Sequence, residues 1–446
     1  MEIKVYNSLT NQKEVFKSIV PGEVSCYVCG PTVYNYVHIG NMRPVVTFDL
    51  LRRLFIRLGY KVNFVSNFTD LDDKVINQAI KEGISEKEVA EKYIAAFENN
   101  RETIHALKPT FQPRVTETMP EIISFIDNLV KTGYAYEVDG DVFFRVSKIS
   151  DYGCLSGMKP DDLIAGARIE ENTKKESPLD FALWKKTEVG IQYQTPWSMG
   201  RPGWHTECVV MINKIFGHKI DIHGGGFDLK FPHHENEIAQ EEATNQHKIA
   251  NYWMHNGFIN IDNEKMSKSL GNVKLAKDLL EGYGGNAVRF VLVNSYYRAP
   301  VNFSDELLVG ADKEVKKIEQ TYRKLAIKLQ TLGVDISEKY EGKLNSEKFL
   351  EAMADDLNTP NALTELYAEL KLGNVALRKP DATLDELKEI FFTLQDELWV
   401  LGLEYNLPIL TDEDKKLLSD YEAARKAKDF ATADALRAEL INKELL

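Results

Sequence analysis

The residues best suited to chemistry stand at Phe231-Pro232-His233-His234-Glu235-Asn236-Glu237, read together with Cys29 and Cys208 far away in the chain. If Pro232 opens a helix, His233 and Glu237 lie one turn apart on the same face. An imidazole nitrogen, a carboxylate oxygen and two thiolates make a four-ligand zinc site. The stretch taken alone also reads as a polar helix start, and linear order does not bring Cys29 or Cys208 to it. Two further stretches suit anions. His38-Ile39-Gly40-Asn41 follows a glycine-containing turn and enters a helix, where free N–H groups and the helix dipole favour phosphate. His38 and Asn41, three apart, reach one ligand, and Gly40 lets a nucleotide approach the backbone. A helix entry capped by Asn41 is the plainer reading. Lys265-Met266-Ser267-Lys268-Ser269 lies on a loop whose lysines suit a developing anionic leaving group.

The elements that must carry these residues are legible in outline. Glu23 to Gly30 reads as a buried strand ended by Gly-Pro, and Tyr60 to Phe68 as a second strand. Residues three apart on a strand face opposite ways, so Cys26 and Cys29 are not read as a redox pair; Cys26, like Cys154, is assigned to packing. Thr69 and the aspartates after it read as helix capping, with a substrate contact from Thr69 left open. Residues from about 111 to 200 change texture and read as an insertion. Trp204-His205-Thr206-Glu207-Cys208 then resumes the core beside a Pro-Gly turn. Ile220 to His223 reads as a strand running into a loop at Gly224-Gly225-Gly226. Beyond Leu270 the chain reads as almost entirely helical, with Lys313, Lys317, Lys324 and Lys328 at helical spacing.

Composition narrows the class. The 446 residues are 43% hydrophobic and 28% charged, as in ordinary soluble globular proteins. No apolar run approaches the roughly 20 residues that span a bilayer, and Met1-Glu2-Ile3-Lys4 opens no signal peptide, so a cytoplasmic protein without a membrane role is expected. Four cysteines are too few for a disulfide framework. The net charge of −13 argues against broad nucleic-acid binding but allows a local basic surface. Seven of nine histidines fall between His205 and His255, which favours a site over scattered core histidines. No GxxxxGK[ST] occurs, so ATP would not be held by a P-loop.

In order, Cys29-Gly30-Pro31-Thr32-Val33-Tyr34, His38 to Asn41, Trp204 to Cys208, His233 to Glu237 and Lys265 to Ser269 strongly resemble the class I aminoacyl-tRNA synthetases, and among them the cysteinyl-tRNA synthetase family. KMSKS matches at all five positions, whereas HIGN departs from the usual HIGH at Asn41, whose amide is still able to donate to phosphate. The resemblance implies an α/β fold: a Rossmann-like parallel-sheet catalytic domain (1–112 and 201–256) split by a connective insert (113–200), then a mostly helical C-terminal half. That half would comprise a stem-contact region with the KMSKS loop (257–310), a helical bundle (311–405) and a small anticodon-reading domain (406–446). Family members usually extend beyond the last helix, so anticodon reading is expected to be curtailed by an end at Leu446.

The implied reaction activates L-cysteine with ATP and Mg²⁺ to cysteinyl-adenylate, then transfers it to tRNA-Cys. His38, Gly40, Asn41, Lys265 and Lys268 would serve ATP. Gly30, Thr69 and Trp204 would serve cysteine, with His205 and His234 supporting the metal ligands. One Zn²⁺ on Cys29, Cys208, His233 and Glu237 would read the substrate sulfur, which a pocket fitted by shape alone separates poorly from serine's oxygen. A monomer is expected. Two alternatives share these motifs: a ligase passing the same adenylate to a small amine, and a non-catalytic zinc-containing RNA-binding paralogue.

Overall fold

The computed structural model describes residues 1–158, 174–217, 219–261, 264–266 (Lys265 by its backbone alone) and 271–445. The chain divides into two compact units, Met1–Gly284 with Tyr297–Phe303, and Gly285–Tyr296 with Ser304–Leu446.

The first unit opens with an antiparallel pair, β1 (Lys4–Asn7) and β2 (Gln12–Val15). Its central sheet is parallel, formed by β3 (Glu23–Val28), β4 (Lys61–Ser66), β10 (Ile220–Gly226) and β11 (Ala250–Asn256) in the order β11-β10-β3-β4. Val24, Cys26, Tyr27 and Val28 are all buried, the pattern of a strand covered on both faces. Helix α1 (Ile39–Arg57) carries the chain from β3 to β4 on one side. Helix α6 (Glu235–Asn245) carries it from β10 to β11 on the other. The order therefore reverses between β3 and β10, and a crevice opens at their carboxyl ends, where open α/β sheets bind ligands.

Between the two halves lie α2 (Asp73–Glu82), α3 (Glu86–Thr103), α4 (Met119–Lys131) and an antiparallel sheet. That sheet comprises β5 (Ala135–Val138), β6 (Asp141–Phe144), β7 (Phe181–Lys186), β8 (Tyr193–Gln194) and β9 (Met199–Pro202), ordered β5-β6-β7-β9-β8. Helix α5 (Glu207–Phe216) then leads into β10.

One sequence expectation is corrected here. Gly224 to Gly226 do not form a loop but complete β10, paired with Met254 to Asn256. The glycines serve packing: a Cβ on Gly224 would sit 2.1 Å from the Phe48 ring. Among the described residues the chain beyond Leu270 is almost entirely helical, as expected, with one short strand. After α7 (Ala276–Tyr283), β14 (Val301–Phe303) pairs in parallel with β12 (Ile259–Ile261), which is flanked by β13 (Glu264–Lys265). Val301 and Phe303 are buried while Asn302 is exposed, the alternation of a strand with one dry face.

The second unit is helical: α8 (Gly285–Val293), α9 (Asp305–Thr331), α10 (Glu347–Ala354), α11 (Thr359–Ala376), α12 (Leu384–Leu401), α13 (Asp412–Ala427) and α14 (Phe430–Asn442). Ser304, Asn358, Thr383, Thr411 and Asp429 each accept a first-turn N–H, so five helices begin at their caps. Tyr322 stacks on Phe391 at 4.9 Å, joining α9 to α12. The basic stripe lies on α9, where Lys316 and Lys317 pair with Asp312 and Glu314 of the same helix, so part of it is a self-neutralised solvated face. No helix among the described residues is long and apolar enough to cross a membrane.

Candidate active site and metal cage

Four segments meet at the crevice. Cys29 follows the end of β3, Cys208 sits in the first turn of α5, and His233 closes a short helical turn that leads into α6, where Glu237 projects one turn on. The expected pairing across that turn is present, with His233 Nε2 2.8 Å from a Glu237 oxygen. Cys29 Sγ lies 3.5 Å from Cys208 Sγ and 3.6 Å from Glu237, and Cys208 Sγ lies 3.7 Å from His233 Nε2. One donor atom from each of the four falls within 4.8 Å of all the others. Cys29, His223, His234 and Glu237 satisfy the same distance criterion. Two soft thiolates with one imidazole and one carboxylate fit zinc better than a set with one thiolate.

His223 and His234, the two residues particular to the second set, also contact members of the first. His223 Nε2 lies 2.5 Å from the Glu237 oxygen that faces away from His233, and so fixes that carboxylate. His234 Nε2 approaches Cys29 Sγ at 3.4 Å, while its Nδ1 contacts His255, which contacts Ser8. His205 Nδ1 lies 3.0 Å from His233 Nδ1 and leaves His233 Nε2 toward the cage. Outer partners of this kind set ligand tautomer and orientation. His205 and His234 were anticipated in that place, whereas His223 was hidden as a residue of an apolar strand.

Burial makes the charges interdependent. Burial drives the Glu237 carboxyl upward, but the charges of His223 and His233 overcome it and hold the group ionised, well below the usual carboxylate range. Burial drives His233 down, yet Glu237 and the Cys208 contact leave it raised to about 10. The hydrogen bond from Cys29 lowers Cys208 to about 6, against its own burial. Burial and the same contact push Cys29 well upward. One thiol of the pair is thus ready to ionise, a ready half of a thiolate cage.

A cavity of about 580 Å³ extends from Cys29, Gly30 and Trp204 to His38, Gly40, Asn41 and Met266. Gly30 is required: a Cβ there would stand 1.7 Å from the Asn67 carbonyl oxygen. Its N–H donates to the Asn67 side chain. Trp204 stacks on His233 at 4.4 Å yet remains 41% exposed, so its outer face borders the cavity. Thr69 is 2% exposed and donates its hydroxyl to Glu207 at 2.8 Å, which leaves it behind the wall. Neither Asn67 nor Glu207 carried a sequence signal for this role.

At the other end His38 is the N-cap of α1, and Asn41 turns its amide oxygen back to the His38 N–H at 3.2 Å. Asn41 thus performs the capping of its plainer reading. The Ile39 N–H, at the helix entry, donates to the Lys274 carbonyl at 3.0 Å. Met266 lies against Gly40, where a Cβ would be 3.0 Å from its terminal methyl. The Lys265 backbone pairs with Asn260, whereas Lys268 lies outside the described residues. Cys154 departs from simple packing, because its Sγ lies 3.6 Å from Glu235 and 3.5 Å from Lys248.

A Rossmann-like crevice with these motifs defines a class of enzyme, and comparison identifies the branch. Residues 15–313 match the model of the tRNA synthetases class I (C) catalytic domain, and residues 348–405 match the DALR domain. Among solved structures, the chain resembles a Mycobacterium tuberculosis methionyl-tRNA synthetase in complex with methionyl-adenylate. The TM-score is 0.61 at 14% identity, covering 92% of this chain and 96% of that one. It also resembles the LeuRS-tRNA-LeuAMS complex of Agrobacterium radiobacter K84, with a TM-score of 0.58 at 12% identity, covering 88% and 87%. These likenesses concern the fold. In sequence the chain is 45% identical to the cysteine–tRNA ligase of Brevibacillus brevis and 47% identical to that of Staphylococcus aureus, each over 100% of this chain and 97% of the relative. The chain belongs to the cysteine–tRNA ligase family of class I synthetases.

Proposed function

We infer that this chain activates L-cysteine with ATP and Mg²⁺ and transfers it to tRNA-Cys. The convergence of Cys29, Cys208, His233 and Glu237 within 4.8 Å, at one end of the large cavity, supports this reading most directly. The donor set fits one Zn²⁺, which when bound supplies a soft Lewis-acidic centre that favours a substrate thiolate over a hydroxyl. Trp204 and Gly30 bound the amino acid, and Thr69 supports that wall from behind through Asn67, whose amide donates to the Thr69 hydroxyl at 3.4 Å. His38, Gly40 and Asn41 position the nucleotide, with Lys265 and Lys268 stabilising charge on the phosphates. The cysteine carboxylate attacks the α-phosphorus of ATP and pyrophosphate leaves. The terminal ribose hydroxyl of the tRNA then attacks the adenylate carbonyl and AMP leaves. A monomer working in the cytoplasm is part of the same reading, with residues 406–446 as the anticodon reader.

Transfer of radiolabelled cysteine to a tRNA-Cys transcript, with serine and other tRNAs as controls, tests the proposal. Specific charging is expected, and cysteine-dependent pyrophosphate exchange without charging would redirect it to another acceptor. Lys268→Ala is expected to slow exchange by roughly 10² to 10³-fold. An unchanged rate would remove Lys268 from the phosphate site.

A further inference from the structure

Beside the amino-acid end of the large cavity lies a second one of about 330 Å³, lined by Lys74, Lys175, Lys185, Phe181 and His205 among others. It shares Thr32, Lys74 and Trp204 with the large cavity, and no residue with the His38 to Asn41 end. Three ammonium groups around one opening stand out in a chain of net charge −13. Asp72 is the one carboxylate among its lining residues. Asp73 nearby is already engaged by Arg201, with Lys185 a looser partner at 3.5 Å. Lys74 and Lys185 are exposed and Lys175 half-buried, so their charges are hydrated and reachable. Lysine acts on phosphate as a flexible point charge, and a positive groove ending at an aromatic face suits single-stranded nucleic acid. Such a strand would arrive beside Trp204, where the activated amino acid must be collected.

Resting on the function proposed above, we propose that this second cavity seats a phosphodiester of the tRNA 3′ strand, with Lys74, Lys175 and Lys185 holding its anionic oxygens and delivering the terminal ribose past Trp204. The lysines bind and position the acceptor and have no part in forming the adenylate. Departing pyrophosphate carries the same anionic chemistry, so the test separates the two.

The probe is the full-length chain with Lys175→Ala and Lys185→Ala combined, because Lys74 also borders the nucleotide cavity. Cysteine-dependent pyrophosphate exchange is expected to stay at the parental rate, which also shows that the variant folds. The KM for tRNA in transfer is expected to rise several-fold. Its log–log dependence on salt should become shallower by up to roughly 0.7, the share of one single-strand phosphate contact. The paired Lys→Arg variant should restore both. If exchange is lost, Lys175→Gln and Lys185→Gln singly carry the same comparison with half the slope change. An unchanged tRNA KM and salt slope overturns the proposal, as does altered inhibition by inorganic pyrophosphate with an unchanged tRNA KM. If the parental chain charges no tRNA, the functional reading fails first, and that failure is independent of the lysines.

Discussion

Two buried glutamates, one in each unit, have opposite fates. Glu237 is 0% exposed and Glu397 is 1% exposed, so both have left water. Glu237 meets His223 on one oxygen and His233 on the other, and is held ionised. Glu397 is buried with the carboxylates of Glu369, Asp396 and Glu365 nearby, and its Oε2 has no hydrogen-bond partner among the described residues. Burial, reinforced by the neighbouring Glu369, raises it to about 9, so it is a neutral acid at pH 7. Burial sets the cost in both places, and only the supply of cationic and hydrogen-bonding partners decides the charge state. The contrast separates a carboxylate built to accept a cation from one that serves packing.

The largest expected effect comes from removing the charge that the cage is built around. Glu237→Gln keeps the shape but leaves His223 and His233 without their counter-charge, and it removes one of the four proposed ligands. Zinc content and cysteine activation should both be lost, with activation down by more than roughly 10³-fold, beyond the cost of a single transition-state donor. Near-parental zinc and exchange would show that Glu237 is structural.

The same change in the other unit should do the reverse. In Glu397 the folded value lies above the unfolded one, so the native chain holds a proton that the unfolded chain releases. Stability contributed this way is intact below about pH 4.5 and declines as pH rises toward about 9. Glu397→Gln should therefore stabilise the chain at pH 7 by up to roughly 3 kcal/mol and flatten that decline. Glu237 has the opposite sign: its contribution is present above the ordinary carboxylate range and is lost as acid protonates it. Denaturant titration across pH 5 to 9, as a range of roughly four units around neutrality, checks the Glu397 prediction. A destabilised Glu397→Gln would mean that the carboxylate is ionised in the fold.

A smaller effect is expected from the partner rather than the ligand. His223→Phe keeps an aromatic ring against Trp253, seen at 4.4 Å, and removes both ring nitrogens, of which Nε2 orients Glu237 and Nδ1 has no hydrogen-bond partner among the described residues. Zinc affinity should fall by roughly 10 to 100-fold with the fold intact. Parental affinity, measured by competition with a chelator, would show that His233 alone fixes the carboxylate.

These comparisons also show what could be read from the sequence. The i, i+4 placement of His233 and Glu237 was legible because helix geometry fixes it locally. Their meeting with Cys29 and Cys208 was not, because it depends on a strand order that reverses between β3 and β10. The resemblance supplied it where periodicity could not. His223 looked like any residue of an apolar strand, and the glycines after it looked like a loop. Their function is to admit Phe48 and the HHENE turn, and that is visible only once α1 lies across β10. Glu397 gave no warning either, since one glutamate in a helix reads as a solvated face until its neighbours are known.

The proposed cage is expected to read the substrate's sulfur. Replacing zinc by cobalt(II) and recording the thiolate-to-metal charge-transfer bands tests it directly. Bands from Cys29 and Cys208 should be present in the resting chain, intensify when L-cysteine is added, and remain unchanged with L-serine. Absence of thiolate bands, or the same response to serine as to cysteine, would contradict it.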